Sequence, residues 1–225
     1  ALEDVTFSLK GNGYDRTATT GADGVAKFEN IPVSASPYTL KEESAPADYN
    51  LIGTPWTVVV EKVDGTENVT PDTDGGKLHT YNHTAEVTVD GNKITEADKL
   101  SITNSKVQAK IQIQKSVDPA AARATEYTFT VKNGETTVDT LKLNDSNSWT
   151  DQTDNLPYGT YTITETDPGN NGDYKWDGVS YTGTGVTDNK NNTATVAIGR
   201  DDNGQTITVN AANSYSKLTD GQLKI

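Results

Sequence analysis

One order of short segments runs through this chain twice, and that repetition constrains the fold more than any other feature. The first pass reads Val5-Thr6-Phe7-Ser8-Leu9, Asn30-Ile31-Pro32, Tyr38-Thr39-Leu40-Lys41-Glu42 and Leu100-Ser101-Ile102-Thr103-Asn104-Ser105. The second reads Tyr127-Thr128-Phe129-Thr130-Val131, Asn155-Leu156-Pro157, Tyr161-Thr162-Ile163-Thr164-Glu165 and Val209-Asn210-Ala211-Ala212-Asn213-Ser214. Most of these segments alternate apolar with polar residues, as a half-buried strand requires, and the stretches between them carry the Gly, Asn, Asp and Pro of tight turns. No window holds a 3.6-residue apolar period, and no apolar run approaches the roughly 20 residues that span a bilayer. The chain therefore reads as all-β, two domains of about 100 residues, a common size for a β-sandwich. The expected boundaries are 1–106 for a first domain lacking its first strand and 107–216 for a complete second domain. Residues 217–225 then begin a following domain or linker, with Leu223 and Ile225 on one face of a new strand. A junction this short implies stiff end-to-end stacking.

The longer segment 64–99 of the first repeat has no counterpart in the second. Thr84-Ala85-Glu86-Val87-Thr88-Val89 followed by Asp90-Gly91 predicts a strand entering a hairpin turn. Asn189–Asn192 and Asp201–Gly204 read as turn tips.

Composition narrows the function. The net charge of −13 works against nucleic acid or an anionic membrane surface as partner. Cysteine and methionine are both absent, so an exported protein of this size must find its stability without disulfides. No targeting or membrane-spanning segment is present, and the abrupt ends read as those of an excerpt. There is no Ser/His/Asp set, phosphate loop or nucleotide motif, and no cofactor is expected.

Strand parity brings out one constellation. In Lys110-Ile111-Gln112-Ile113-Gln114-Lys115 the odd positions are apolar, and Lys115 shares their face. In Tyr161–Glu165 the odd positions are again apolar, and Glu165 joins them. In Ile207–Asn213 the same count puts Asn213 inward. Each of these three polar groups costs several kcal/mol if buried unpaired, so they should meet. Apolar surroundings lower a lysine pKa and raise that of a glutamate. A neutral Lys115 amine could then attack the Asn213 side-chain carbonyl. Glu165 would polarise that carbonyl and shuttle protons, and ammonia would leave. Contact geometry would supply much of the rate. The chain would be its own single-turnover substrate, not an enzyme. A buried salt bridge with an amide neighbour is the plainer reading of the same three residues.

Lysine at the end of a first strand, the Tyr-x-Ile-x-Glu segment and asparagine near the end of the last strand together resemble the Cna protein B-type domain of Gram-positive surface adhesins and pilins. The first repeat resembles it too, through Tyr38-Thr39-Leu40-Lys41-Glu42-Glu43-Ser44-Ala45-Pro46 and Tyr49, although Asp48 stands where the family usually has Gly. The resemblance implies transthyretin-like (inverse immunoglobulin) sandwiches in tandem, a Lys115–Asn213 isopeptide bond assisted by Glu165, and a role as a mechanical spacer. It further implies an extracellular, cell-wall-anchored protein whose anchor lies outside this excerpt. Its partners would be neighbouring repeat domains of the same polypeptide, with host matrix or glycan met through other regions and no membrane insertion. In the first repeat, Glu42 and Asn104 have inward parity, but no lysine precedes Phe7 on the strand where one is expected. Lys10 falls on the opposite face. Glu42 and Asn104 are thus expected to form an unreacted pair, the lysine lying before Ala1 in the parent, with Lys62 open as a substitute.

Other candidates have two readings each. His79 and His83 share a face in a strand, as a metal pair would, but lack a clear third ligand. Asp72, Asp74 and Asp201-Asp202-Asn203-Gly204 are calcium-like or simple turn residues, without EF-hand spacing. Trp56, Trp149 and Trp176 form either a sugar platform or parts of the core. A rival function is therefore a ligand-binding adhesin module using the 64–99 insertion or the Trp-bearing loops.

Overall fold

The computed structural model describes residues 1–65, 67–71, 77–81, 84–95 and 99–219. Asp72, Asp74, His83, Leu223 and Ile225 lie outside the described residues, as does the side chain of His79. Two compact units divide between Ser105 and Lys106. Both are all-β; among the described residues the remaining regular structure is three short 3-10 turns, and no helix is long and apolar enough to cross a membrane.

The strands of the second unit are β9 (Gln108–Asp118), β10 (Glu126–Asn133), β11 (Thr136–Asn144), β12 (Thr150–Gln152), β13 (Leu156–Pro157), β14 (Gly159–Glu165), β15 (Tyr174–Thr182), β16 (Val186–Asp188), β17 (Thr193–Ile198) and β18 (Thr206–Lys217); β1–β8 belong to the first unit. One five-stranded sheet has the order β11-β10-β14-β17-β16; the other has the order β12-β9-β18-β15, with the short β13 also paired to β9. Alternate residues of both sheets meet in one core: Ile111 and Ile113 of β9 and Val209 of β18 pack with Phe129, Val131 and Ile163 from the facing sheet. The first and last strands, β9 and β18, run parallel side by side, with Lys115 paired to Ala211 and Val117 to Asn213. Every other ladder of this unit is antiparallel. Parallel neighbours need a long crossover, and here the whole domain supplies it.

The first unit contains β1 (Thr6–Gly11), β2 (Tyr14–Thr19), β3 (Tyr38–Ser44), β4 (Trp56–Val63), β5 (Glu67–Pro71), β6 (Lys77–Tyr81), β7 (Thr84–Val89) and β8 (Asn92–Ile94). Six of these form a sheet ordered β2-β1-β3-β4-β7-β8, and β5 pairs with β6. The inner face carries Val5, Phe7, Leu9, Tyr38, Leu40 and Val60, all buried. β7 and β8 are the hairpin that the insertion predicts. Val89 pairs with Asn92 across Asp90 and Gly91, both at positive φ (48° and 79°), the combination a two-residue hairpin turn demands.

The segment Leu100–Ser105, read above as a last strand, is irregular instead. Its counterpart β18 is held in a ladder between β9 and β15. No strand among the described residues of the first unit takes the place of β9, so this segment has no such neighbour. Leu100 and Ile102 still pack against the core. The main-chain N–H and the side-chain amide of Asn50 donate to the carbonyl of Ser105 in place of a ladder.

Candidate cross-link site

Lys115, Glu165 and Asn213 come together inside the second unit, and two sheets are needed to assemble them. Lys115 projects from β9 and Asn213 from β18, while Glu165 ends β14 in the facing sheet. All three are buried, and the Lys115 and Glu165 side chains are fully enclosed. Lys115 Nζ donates to Glu165 Oε2 at 2.9 Å, and Asn213 Nδ2 donates to Glu165 Oε1 at 2.9 Å. One carboxyl group therefore holds the amine on one oxygen and the amide nitrogen on the other.

The walls are aromatic. Lys115 Nζ sits 4.7 Å from the Tyr127 ring centroid and 5.4 Å from that of Phe129. Glu165 is fixed from behind, its main-chain N–H donating to the Tyr181 hydroxyl at 3.1 Å, which in turn donates to the Asn192 carbonyl at 3.1 Å. Loss of hydration lowers the Lys115 pKa to about 8, against the opposing pull of the Glu165 charge. The same burial raises that of Glu165, again opposed by its partner. Both shifts favour the uncharged forms. An amine must be uncharged to offer its lone pair, so the arrangement can support attack on the neighbouring amide.

The site departs from the sequence reading in one respect. Glu165 contacts the Asn213 nitrogen and not its carbonyl, and Asn213 Oδ1 is buried without a hydrogen-bond partner. A carboxyl placed on both nitrogens is suited to carrying a proton between them, while it leaves the carbonyl oxygen untouched. Tyr181 and the ring walls were also missed in the sequence, where each reads as an ordinary core position.

The first unit repeats the frame of the site without its amine. Glu42 pairs across the sheet with Phe7 as Glu165 does with Phe129. The Tyr38 hydroxyl donates to the Pro32 carbonyl at 2.6 Å, and Tyr161 does the same to Pro157 at 2.7 Å. Asn104 Nδ2 donates to Glu42 Oε1 at 2.6 Å and the Ile52 N–H to Oε2 at 3.1 Å. No lysine among the described residues bonds to Glu42. Lys10 pairs with Asp15 and Lys62 with Asp64, both on exposed side chains.

The tryptophans and two of the turn residues make local contacts. Trp56 packs on Phe7, Trp149 on Tyr127, and Trp176 against the second core. Asp202 accepts from the Gly199 N–H and Asn203 from that of Gln108, which is turn chemistry.

Sequence and fold are each similar to those of known proteins. A family model described as SpaA, prealbumin-like fold domain, matches residues 1–75. A second, a domain of unknown function designated DUF5979, matches residues 111–216. No curated protein matches the sequence. Among solved structures, the Bacillus anthracis TIE protein is similar at 16% identity and a TM-score of 0.35; the match covers 95% of this chain and 48% of that one, so the chain spans about half its length. A C-terminal fragment of the pilus adhesin SpaC from Lactobacillus rhamnosus GG is 15% identical, with a TM-score of 0.44 and coverage of 98% and 91%. The major pilin of Streptococcus pyogenes is 16% identical, with a TM-score of 0.43 and coverage of 97% and 94%. Both units are all-β; the prealbumin-like model matches within the first, and the domain of unknown function matches within the second. In their residue pattern both units resemble Cna B-type domains.

Proposed function

We propose that this chain is a structural spacer from a surface adhesin or pilus-like protein, and that its second unit closes itself with an amide bond between Lys115 and Asn213. The observation that carries this reading is the shared carboxyl of Glu165, which holds the amine and the amide at 2.9 Å each within a site closed to water. A buried salt bridge alone does not account for the amide. Stability gives no reason to bury lysine and glutamate, since an apolar pair of similar volume often serves as well.

The bond would lie between the first and last strands of the domain, where tension enters and leaves. Force arriving along β9 would cross to β18 at Lys115 and exit, leaving the strands between unloaded. Closing so long a loop would also remove denatured-state entropy, worth about 4–5 kcal/mol by analogy with a disulfide. A chain with no cysteine gains by this route what it cannot gain by oxidation.

Single-molecule stretching of the whole chain tests the role. The second unit should give no unfolding extension, and Lys115→Ala should restore it. Full extension of the unaltered second unit would refute the spacer reading.

A further inference from the structure

Three buried side-chain atoms lack a hydrogen-bond partner among the described residues: Asn213 Oδ1, the Tyr215 hydroxyl and Trp176 Nε1. They are not scattered. Tyr215 follows Asn213 by two positions on β18 and shares its inner face. Trp176 is paired directly with Tyr215 across the β15–β18 ladder. A bulge between Trp176 and Gly178 brings the indole, and not Asp177, opposite Tyr215. Each unmade hydrogen bond of a buried group is costly, so three at one corner call for an explanation.

Their chemistry is complementary. Trp176 Nε1–H can only donate, Asn213 Oδ1 can only accept, and the Tyr215 hydroxyl does both. The Tyr215 hydroxyl lies against the side chains of Tyr127 and Asn213 without a bond of ordinary geometry to either. Tyr127 already accepts from the Ala124 N–H at 2.9 Å. Of the two neighbours, Asn213 offers the acceptor with no partner at all, the carbonyl oxygen that Glu165 leaves unpolarised.

We infer that Tyr215 is a catalytic residue of the cross-linking step, its hydroxyl donating to Asn213 Oδ1 as charge develops there, with the Trp176 indole N–H donating to the Tyr215 oxygen behind it. The inference rests on the cross-link reading above. In the step, the Lys115 Nζ lone pair attacks Asn213 Cγ; a C–N bond forms and the carbonyl π pair moves onto Oδ1. Protonated Glu165 gives its proton to Nδ2 from one oxygen and takes one from Nζ on the other. The Oδ1 pair returns, the Cγ–Nδ2 bond breaks, and ammonia departs with the acid regenerated. Burial raises the Tyr215 pKa, so the phenol keeps its proton for donation. A donor that closes on a developing oxyanion in a dry site is among the larger effects available to catalysis.

The test is timed intact mass of freshly synthesised whole chain, produced by cell-free translation, for the unaltered sequence and for Tyr215→Phe and Trp176→Phe. The unaltered chain should lose ammonia, about 17 Da. Tyr215→Phe should do so roughly tenfold or more slowly, and Trp176→Phe should be slowed less. Melting in a Lys115→Ala background, where no bond forms, separates chemistry from packing: adding Tyr215→Phe should leave that transition within a few degrees. Equal rates for the unaltered chain and Tyr215→Phe would overturn the role of Tyr215. So would a slow variant whose Lys115→Ala counterpart melts far lower. Absence of mass loss in the unaltered chain would instead defeat the cross-link reading itself, and this inference with it.

Discussion

Lys115 and Asn213 stand diagonally across the parallel ladder of β9 and β18, on one face: Lys115 pairs with Ala211, and Asn213 lies two residues further along the same strand. A lysine side chain reaches such a diagonal neighbour, so the proposed bond would span adjacent strands without distorting either. The acid, Glu165, comes from the facing sheet.

Replacing the amine should remove the bond and its stabilisation together. Lys115→Met, which keeps the volume and drops the charge, is expected to lower the stability of the second unit by about 4–5 kcal/mol. In thermal melting that corresponds to a fall of roughly 20 °C. A fall of only a few degrees would show that no covalent closure had been lost.

The cross-linking rate should be bell-shaped in pH. The reactive state has a neutral amine and a protonated acid, one proton shared by the pair. Acid adds a second proton and blocks the Lys115 lone pair; alkali removes the proton that Glu165 must deliver. With Lys115 lowered to about 8 and Glu165 raised, the rate should peak between the two values and fall on both sides. Timed intact mass across buffers reads it directly, and a rate flat in pH would contradict the assignment of Glu165 as proton carrier.

Without the bond, alkali should stabilise the second unit over a defined window. In an Asn213→Ala chain Lys115 retains a folded pKa of about 8 against 10.5 when unfolded, so the unfolded state binds more protons between those values. Stability then rises with pH through the window, by about 3 kcal/mol at most, and this contribution is lost as pH falls through 8. Glu165, whose folded value lies above 4.5, contributes in the other sense: its share is full below 4.5 and fades as pH rises. Urea melts at pH 7.5 and 10 would show the first effect as an increased midpoint.

The matched tyrosines offer a test in each unit. Tyr38→Phe and Tyr161→Phe each delete a hydroxyl that donates to a proline carbonyl, at Pro32 and Pro157. Each should cost about 1 kcal/mol, seen as a small fall in the melting of its own unit. No effect in either would mean that the shared contact contributes nothing.

Much of this was legible in the sequence, for a physical reason. Strand parity is local, so alternation in Ile111-Gln112-Ile113-Gln114-Lys115 and Tyr161-Thr162-Ile163-Thr164-Glu165 was enough to turn Lys115 and Glu165 inward. The same count over Ile207–Asn213 turned Asn213 inward, and burial then required the three to meet. What parity could not give was orientation within the site: that Glu165 would face the Asn213 nitrogen, leaving Oδ1 unpartnered. Tyr215 and Trp176 were also within reach, since Tyr215 continues the parity of Asn213. The role of Trp176 depends on a bulge that alternation does not encode. The irregular Leu100–Ser105 shows the opposite limit. Its own alternation is strand-like, but a strand is made by its neighbours, and sequence pattern says nothing of a missing one.

The bond itself is tested most directly by the intact mass of the whole chain, followed by peptide mapping. A deficit of about 17 Da is expected, with Lys115 joined to Asn213 and the Asn104 side chain unmodified; Lys115→Ala should return the full mass. Full mass in the unaltered chain, or a deficit that persists when Lys115 is replaced, would contradict the account.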